Sequence, residues 1–264
     1  MSGNKAVVTK GIAALRQTPS WDSELADEAL FGMPVEILSQ NKEWMFAETS
    51  YGYKGYVCNE DISVEIHENW TSGEKQYVIA PFADVLDHPK FAAAAIATVP
   101  RGASLVLTGR TQDNWMEAML PRGEKGWIRE EAMLKKSSKS GRELRQSIVQ
   151  TAMLYLGTQY RWGGKTPAGI DCSGLSFMSY MLNDIQLPRD SEDQMKAMKK
   201  VSRKDSKPGD LLFFPGHVAV YIGEDKFIHA TGTDAVVKIN SLNKDSKMYR
   251  EDLDKKYLCS CTVF

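Results

Sequence analysis

The sequence predicts a multidomain protein in which two small all-β barrels precede one α+β domain. Three observations carry this. Residues in the first half recur at an offset of 70 or 71 positions. Within each copy, short alternating apolar runs are broken by turn residues, the pattern of a small barrel rather than of helices. Beyond residue 140, apolar residues fall first at helical spacing and then in β-branched runs closed by glycine. Helices followed by antiparallel strands make an α+β domain, and 264 residues leave room for all three parts.

The first copy contains Ala14-Leu15-Arg16, Pro19, the run Gly32 to Leu38, Trp44-Met45 and Lys54-Gly55-Tyr56-Val57. The second answers with Val85-Leu86-Asp87, Pro89, Gly102 to Leu107, Trp115-Met116 and Lys125-Gly126-Trp127-Ile128. Two copies at this spacing are tandem small domains, not a solenoid. Where the first copy has Trp21, Glu24 and Glu28, the second has Phe91-Ala92-Ala93-Ala94-Ala95-Ile96. The alanine-rich stretch reads as a packing surface. In the corresponding later loop, Tyr51 and Tyr53 face Arg122 and Glu124. Carboxylates and tyrosines in the first copy alone point to binding there, against the alternative of a solvated acidic loop beside a structural turn.

A polar linker, Lys135 to Gly141, leads into the last domain. Leu144, Ile148, Met153 and Leu156 form an apolar stripe that predicts a helix closed by Gly157. The Gly/Pro-rich loop Tyr160 to Asp171 then meets Cys172, and Leu175, Met178, Met181 and Leu182 start a helical pattern reaching Asn183-Asp184. A cysteine at a helix start meets unpaired N–H groups and a positive dipole end, which favour thiolate. Pro188-Arg189-Asp190-Ser191 opens a further short helix, with Asp190 or Ser191 as cap. Strands follow at Leu211–Phe214, around His217, around His229, at Val236–Ile239 and at Leu258–Phe264. The Gly-Glu-Asp turn between the two histidine strands predicts a hairpin.

Cys172, His217 and His229 are therefore candidates for nucleophile, base and orienter. Taken singly, each reads as a satisfied core residue. Jointly they carry the local contexts that nucleophilic catalysis needs. A zinc site is the alternative weighed against this, but the chain lacks Cys-x-x-Cys and His-x3-His pairs, and Cys259-x-Cys261 is too tightly spaced. No metal or cofactor is expected. Cys58 reads as a small core residue, and Cys259 and Cys261 as packed in the terminal strand. The four cysteines make no disulfide framework.

Asp171-Cys172-Ser173-Gly174-Leu175, Gly209-Asp210-Leu211-Leu212-Phe213-Phe214, Gly216 to Gly223 around His217, and Phe227-Ile228-His229-Ala230 together resemble the NlpC/P60 family of cell-wall cysteine peptidases. The likeness spans about residues 140–264. It implies a papain-like core with the nucleophile helix against the sheet, a Cys172–His217 catalytic pair and His229 as the third member. Tyr160, Trp162, Asp171, Ser173 and Arg189-Asp190-Ser191 resemble the branch that cuts γ-D-glutamyl-L-diamino acid bonds. Members of that branch carry bacterial SH3 domains upstream, and about residues 5–66 and 76–136 resemble such domains.

The resemblance further implies that the first SH3 domain walls the cleft and contacts the substrate's free amine, for which Glu24 or Glu28 with Tyr51 or Tyr53 are the candidates. It implies Tyr160 as an oxyanion donor beside the backbone N–H groups of the helix start. Asp171, Ser173, Arg189, Asp190 and Ser191 suit a zwitterionic peptide, with carboxylates for the L-Ala amine and hydroxyls or guanidinium for the D-Glu α-carboxylate. Arg189 has the alternative of pairing with a nearby acid. The expected partner is a murein stem peptide with a free N-terminus, cut through a thioester by a monomer. Another amide hydrolase on this core, such as an N-acetylmuramoyl-L-alanine amidase, and a wall-binding SH3 protein with weak catalysis are the competing readings.

The balance of 33 basic and 34 acidic residues, net −1, lacks the footprint of a nucleic-acid binder. No apolar run is long enough for a membrane span. The N-terminus has no signal-peptide core, so a cell-envelope location is expected if a leader was removed and a cytoplasmic one otherwise.

Overall fold

The computed structural model describes residues 4–135 and 138–264. Lys136 and Ser137, within the expected linker, lie outside the described residues. The chain divides into two compact units, 1–137 and 138–264. Among the described residues no helix is long and apolar enough to cross a membrane.

The first unit holds the duplication. Strands β1 (Asn4–Val8), β2 (Ile12–Arg16), β3 (Leu25–Leu30), β4 (Pro34–Asn41), β5 (Trp44–Thr49), β6 (Lys54–Cys58) and β7 (Ile62–Ser63) form one sheet, ordered β3-β2-β6-β5-β4-β1-β7. Helix α1 (Glu68–Ser72) leads to β8 (Lys75–Tyr77), β9 (Phe82–Leu86), β10 (Ala95–Pro100), β11 (Ser104–Gln112), β12 (Trp115–Met119) and β13 (Lys125–Arg129), ordered β10-β9-β13-β12-β11-β8. Raising each label of the first six paired strands by seven reproduces the second order. The β11–β12 hairpin turns through Asp113 and Asn114, with φ of 47° and 63°, and these residue types tolerate the left-handed region that a twist-matched two-residue turn requires.

The copies share a core. Val7 and Phe31 of the first join Val85, Leu105 and Ile128 of the second in one apolar cluster. Ser104 N–H donates to the Phe31 carbonyl at 2.9 Å. Beside it Gly32 has φ +81°, and a Cβ there would collide with the Ser104 carbonyl oxygen.

The alanine-rich stretch is largely exposed. Phe91 is 81% exposed, Ala92, Ala94 and Ala95 are exposed as well, and only Ala93 packs, against the Leu86, Trp115 and Trp127 cluster. Phe91 lies edge-on against Trp115 at 5.3 Å, as Trp21 lies on Trp44 at 4.8 Å in the first copy.

The second unit begins with α2 (Gly141–Met153), followed by the small hairpin β14 (Lys165–Thr166) and β15 (Gly169–Ile170), then α3 (Cys172–Met181) and α4 (Ser191–Ala197). Its sheet comprises β16 (Lys199–Val201), β17 (Leu211–Phe214), β18 (His217–Gly223), β19 (Lys226–Thr231), β20 (Val236–Ser241) and, after α5 (Glu251–Lys256), β21 (Cys259–Thr262), in the order β16-β21-β17-β18-β19-β20. The two histidine strands pair as the expected hairpin, turning at Glu224 and Asp225 with φ of 53° and 54°. Every residue of α3 from Ser173 to Met181 is buried, and the helix packs on α2 and β18.

Helix α2 stops earlier than its stripe suggests. Leu154 caps it and donates to both Gln150 and Thr151 carbonyls. Leu156 therefore lies off the helix and is 46% exposed, and Gly157, at φ +79°, closes the turn beyond.

Candidate active site

The loop side of the site is built around Asp171. It occupies the N-cap of α3, and its Oδ1 accepts the Gly174 N–H at 2.6 Å. That bond satisfies one of the orphan donors of the first turn and fixes Cys172 as the first helical residue. Oδ2 accepts the Gly163 N–H at 2.8 Å, drawing the preceding loop onto the helix. The approach is so close that a Cβ on Gly174 would strike the Gly164 carbonyl oxygen.

Arg189 closes the cluster. Its Nη1 donates to Asp171 Oδ1 at 3.0 Å and to Ser173 Oγ at 2.8 Å. Its Nη2 donates to Asp171 Oδ2 at 2.8 Å and to the Gly164 carbonyl at 3.2 Å. Ser173 Oγ also donates to Asp171 at 3.3 Å. Arg189 is 2% exposed. A buried charge pair persists when its remaining donors and acceptors are also satisfied, and this one meets that condition through two-point pairing.

Arg189 thus takes the second of its two expected roles, pairing with a nearby acid, and the contacts among Asp171, Ser173 and Arg189 hold the loop against the start of α3. Gln194, which the sequence did not single out, locks the same junction. Its Nε2 donates to the Ser173 carbonyl at 3.1 Å and the Pro188 carbonyl at 3.0 Å, and its Oε1 accepts the Ser176 hydroxyl at 2.6 Å. A buried glutamine three residues into a polar helix start gives no periodic signal, so nothing in the sequence marked it. Asp190 holds the N-cap position of α4, yet its carboxylate makes no cap hydrogen bond. Ser191 beside it is half-buried.

The Cys172 thiol receives the backbone N–H groups of Ser173 and of Val218, the neighbour of His217. Burial, and then the Asp171 carboxylate, push the thiol up to about 11. This reverses the expectation from the helix start. The dipole and the two amides favour thiolate, but desolvation and an adjacent negative charge outweigh them.

The sheet side is a chain of neutral groups. His217 Nε2 lies 2.8 Å from His229 Nδ1, and His229 Nε2 lies 2.9 Å from Asn240 Oδ1. The direct cross-strand neighbour of His229 is Lys238, and Asn240 is the next residue on the same face. His229 is fully buried. Burial, reinforced by the neighbouring His229, lowers His217 to about 3. Burial also lowers His229, to about 4, against the opposing hydrogen bond to Asn240. At neutral pH the site therefore rests as thiol and uncharged imidazole. Asn240 was missed because it falls just past the Val236–Ile239 run that the sequence marks as a strand.

Tyr160 is anchored by its N–H to the Ala235 carbonyl at 2.8 Å. Its hydroxyl is pushed up to about 12, first by burial and then by Cys172 and Asp171, and so stays a donor close to the sulfur. Trp162 is 62% exposed on the same loop. The unit thus brings Cys172, His217, His229, Tyr160, Asp171, Ser173 and Arg189 together.

Glu24, Glu28, Tyr51 and Tyr53 belong to the first unit. Glu24 is exposed and Glu28 buried. The Tyr51 hydroxyl donates at 2.5 Å to Asp27, a buried acid the sequence reading did not select. Cys58 and Cys261 are buried and Cys259 half-buried, all as free thiols. Among the described residues no three metal-binding side chains come together.

Known proteins resemble this chain in both of its units. The model of the NlpC/P60 family matches residues 157–254, and that of the bacterial dipeptidyl-peptidase Sh3 domain matches residues 15–62. The chain is 37% identical over 258 residues to dipeptidyl-peptidase 6 of Lysinibacillus sphaericus, spanning 94% of this chain and 95% of that protein. It is 37% identical over 123 residues to the gamma-D-glutamyl-L-lysine dipeptidyl-peptidase of Bacillus subtilis, spanning 44% of this chain and 39% of that protein. In fold it is similar to a crystal structure of an NlpC/P60 family protein from Bacillus cereus, with a TM-score of 0.82 over 97% of this chain and 98% of that one, at 22% identity.

Proposed function

The chain belongs to the NlpC/P60 family of cysteine peptidases, and from that premise we propose that it hydrolyses the γ-D-glutamyl-L-diamino acid bond of peptidoglycan stem peptides bearing a free N-terminal L-Ala. What supports this reading is one arrangement: the Cys172 sulfur takes the N–H of Val218, and the adjacent His217 ring is linked at 2.8 Å to His229. The relatives from Lysinibacillus sphaericus and Bacillus subtilis are both named dipeptidyl-peptidases, the latter a gamma-D-glutamyl-L-lysine dipeptidyl-peptidase, which favours the same bond class.

His217, uncharged at rest, takes the thiol proton as sulfur attacks the γ-carbonyl carbon of D-Glu. The oxyanion is held by the helix-start backbone N–H groups and by the Tyr160 hydroxyl. A single lost donor of this kind costs roughly 10²–10³ in kcat. The C–N bond then breaks, and the diamino acid amine leaves with the proton from His217. Water, deprotonated by the same ring, releases the thioester and restores the thiol. Asp190, at the start of α4, takes the L-Ala amine. Specificity for a free amine confines the reaction to released stem peptides.

We read the second barrel, residues 76–136, as a second SH3 domain beside the first at 5–66, with the peptidase domain at 140–264. The repeated strand order supports this.

Mass spectrometry of L-Ala-γ-D-Glu-L-Lys digests tests the proposal. The free-amine peptide is cut between D-Glu and L-Lys, and its N-acetylated form is not. Equal cleavage of both would point to an amidase-like specificity instead, and activity surviving in Cys172→Ala would remove the nucleophile assignment.

A further inference from the structure

We infer that Asn240 is a positioning residue that fixes the tautomers of both histidines, leaving the His217 Nδ1 lone pair as the base. The inference rests on reading Cys172 and His217 as nucleophile and base, and it names the group that sets the base's form. It starts from an amide. Asn240 Nδ2 donates to the Met248 carbonyl at 3.2 Å. A carbonyl oxygen only accepts, so the amide NH₂ faces Met248 and Oδ1 must face His229. Oδ1 in turn only accepts, so the His229 nitrogen 2.9 Å away, Nε2, carries the hydrogen.

A neutral imidazole has one N–H. With Nε2 protonated, His229 Nδ1 is an acceptor. His217 Nε2, at 2.8 Å, is then the donor in that contact. His217 Nδ1 is left without a hydrogen, which is the form needed to take a proton from a thiol. One fixed amide thus sets two rings in sequence, because the bond made by one ring nitrogen determines the state of the other.

The surroundings hold this order. Asn240 is 6% exposed and His229 fully buried, so water does not compete for their polar atoms. Met248 is tied to the same strand by its carbonyl accepting Ser241 N–H at 2.9 Å, which fixes the acceptor that orients the amide. The lowered basicity of both rings keeps them neutral, and tautomers matter only for neutral rings.

The test is ¹⁵N NMR of the imidazole nitrogens in the full-length protein at neutral pH, which reads tautomers without reference to turnover. Both His217 and His229 should show Nε2–H with an unprotonated Nδ1. An Nδ1–H form at either ring overturns the inference, whether or not the peptide is cut. Two variants extend the test. Asn240→Leu removes the acceptor and should mix the tautomers of both rings, with kcat lowered by at least about tenfold and KM little changed. Asn240→Gln keeps a neutral amide that can both donate and accept, and should restore the Nε2–H forms better than leucine does. If Asn240→Leu folds and keeps wild-type tautomers and kcat, Asn240 is not the determinant. Failure of the peptidase reading shows differently, as wild-type protein that leaves the peptide intact while its ring signals remain ordered.

Discussion

Around Asp171 the protein buries full charges, whereas around His217 it buries neutral rings. The carboxylate and guanidinium on the loop side are 9% and 1% exposed at their side chains and 2.8 Å apart. They hold a helix start and a loop in place and exchange no proton. The rings on the sheet side are linked to each other and to Asn240 by hydrogen bonds between neutral groups.

This contrast can be broken from either side. The largest effect belongs to the sheet side. His217→Ala should lower kcat/KM by more than about 10³-fold while the protein stays folded, since it removes a costly buried polar ring and leaves no charge behind. Activity within tenfold of wild type would mean another base. On the loop side Arg189→Ala should act on stability first. It strands a buried carboxylate and should cost about 3–5 kcal/mol in denaturant unfolding of the second unit. Arg189→Lys should recover little, because an ammonium cannot make the two-point contact.

The pH response separates the two sides further. Both histidines have folded values, about 3 and about 4, below the unfolded 6.5. Above pH 6.5 both states are uncharged and stability is full. As pH falls through 6.5 toward 4 and 3 the unfolded state binds protons that the folded state refuses, so stability declines. Urea midpoints at pH 7, 5 and 4 should fall, and His217→Gln with His229→Gln should flatten that decline. An unchanged slope in the double variant would mean the rings are not the source. The smallest effect should come from Ser173→Ala. It deletes two hydrogen bonds, one from the charged Arg189 at 2.8 Å and one to Asp171 at 3.3 Å, and should cost about 1–3 kcal/mol with the cleaved bond unchanged.

Elements whose signal is local were legible in the sequence. The strand Leu211–Phe214 is an apolar run set off by Pro-Gly-Asp, and the histidine hairpin is fixed by its turn. The duplication was readable because both copies keep Gly32 or Gly102 and Trp44 or Trp115 at matching positions. What sequence could not give was which polar groups meet. Arg189 and Asp171 stand 18 residues apart, and only folding decides that they saturate each other. Asn240 likewise reaches His229 through strand register, which no residue type announces. The thiol's shift was misjudged for a related reason, since a dipole can be inferred from position in a helix but burial cannot.

Val7 and Phe31 lie in an apolar cluster otherwise made mostly by the second copy. The second half of the duplication therefore draws part of its core from the first. Excising residues 76–136 would leave a greasy socket open to water, and the severed piece would be prone to self-association. In thermal scans of the intact chain the two repeats should melt in a single cooperative step, despite being copies that could each have stood alone at their origin.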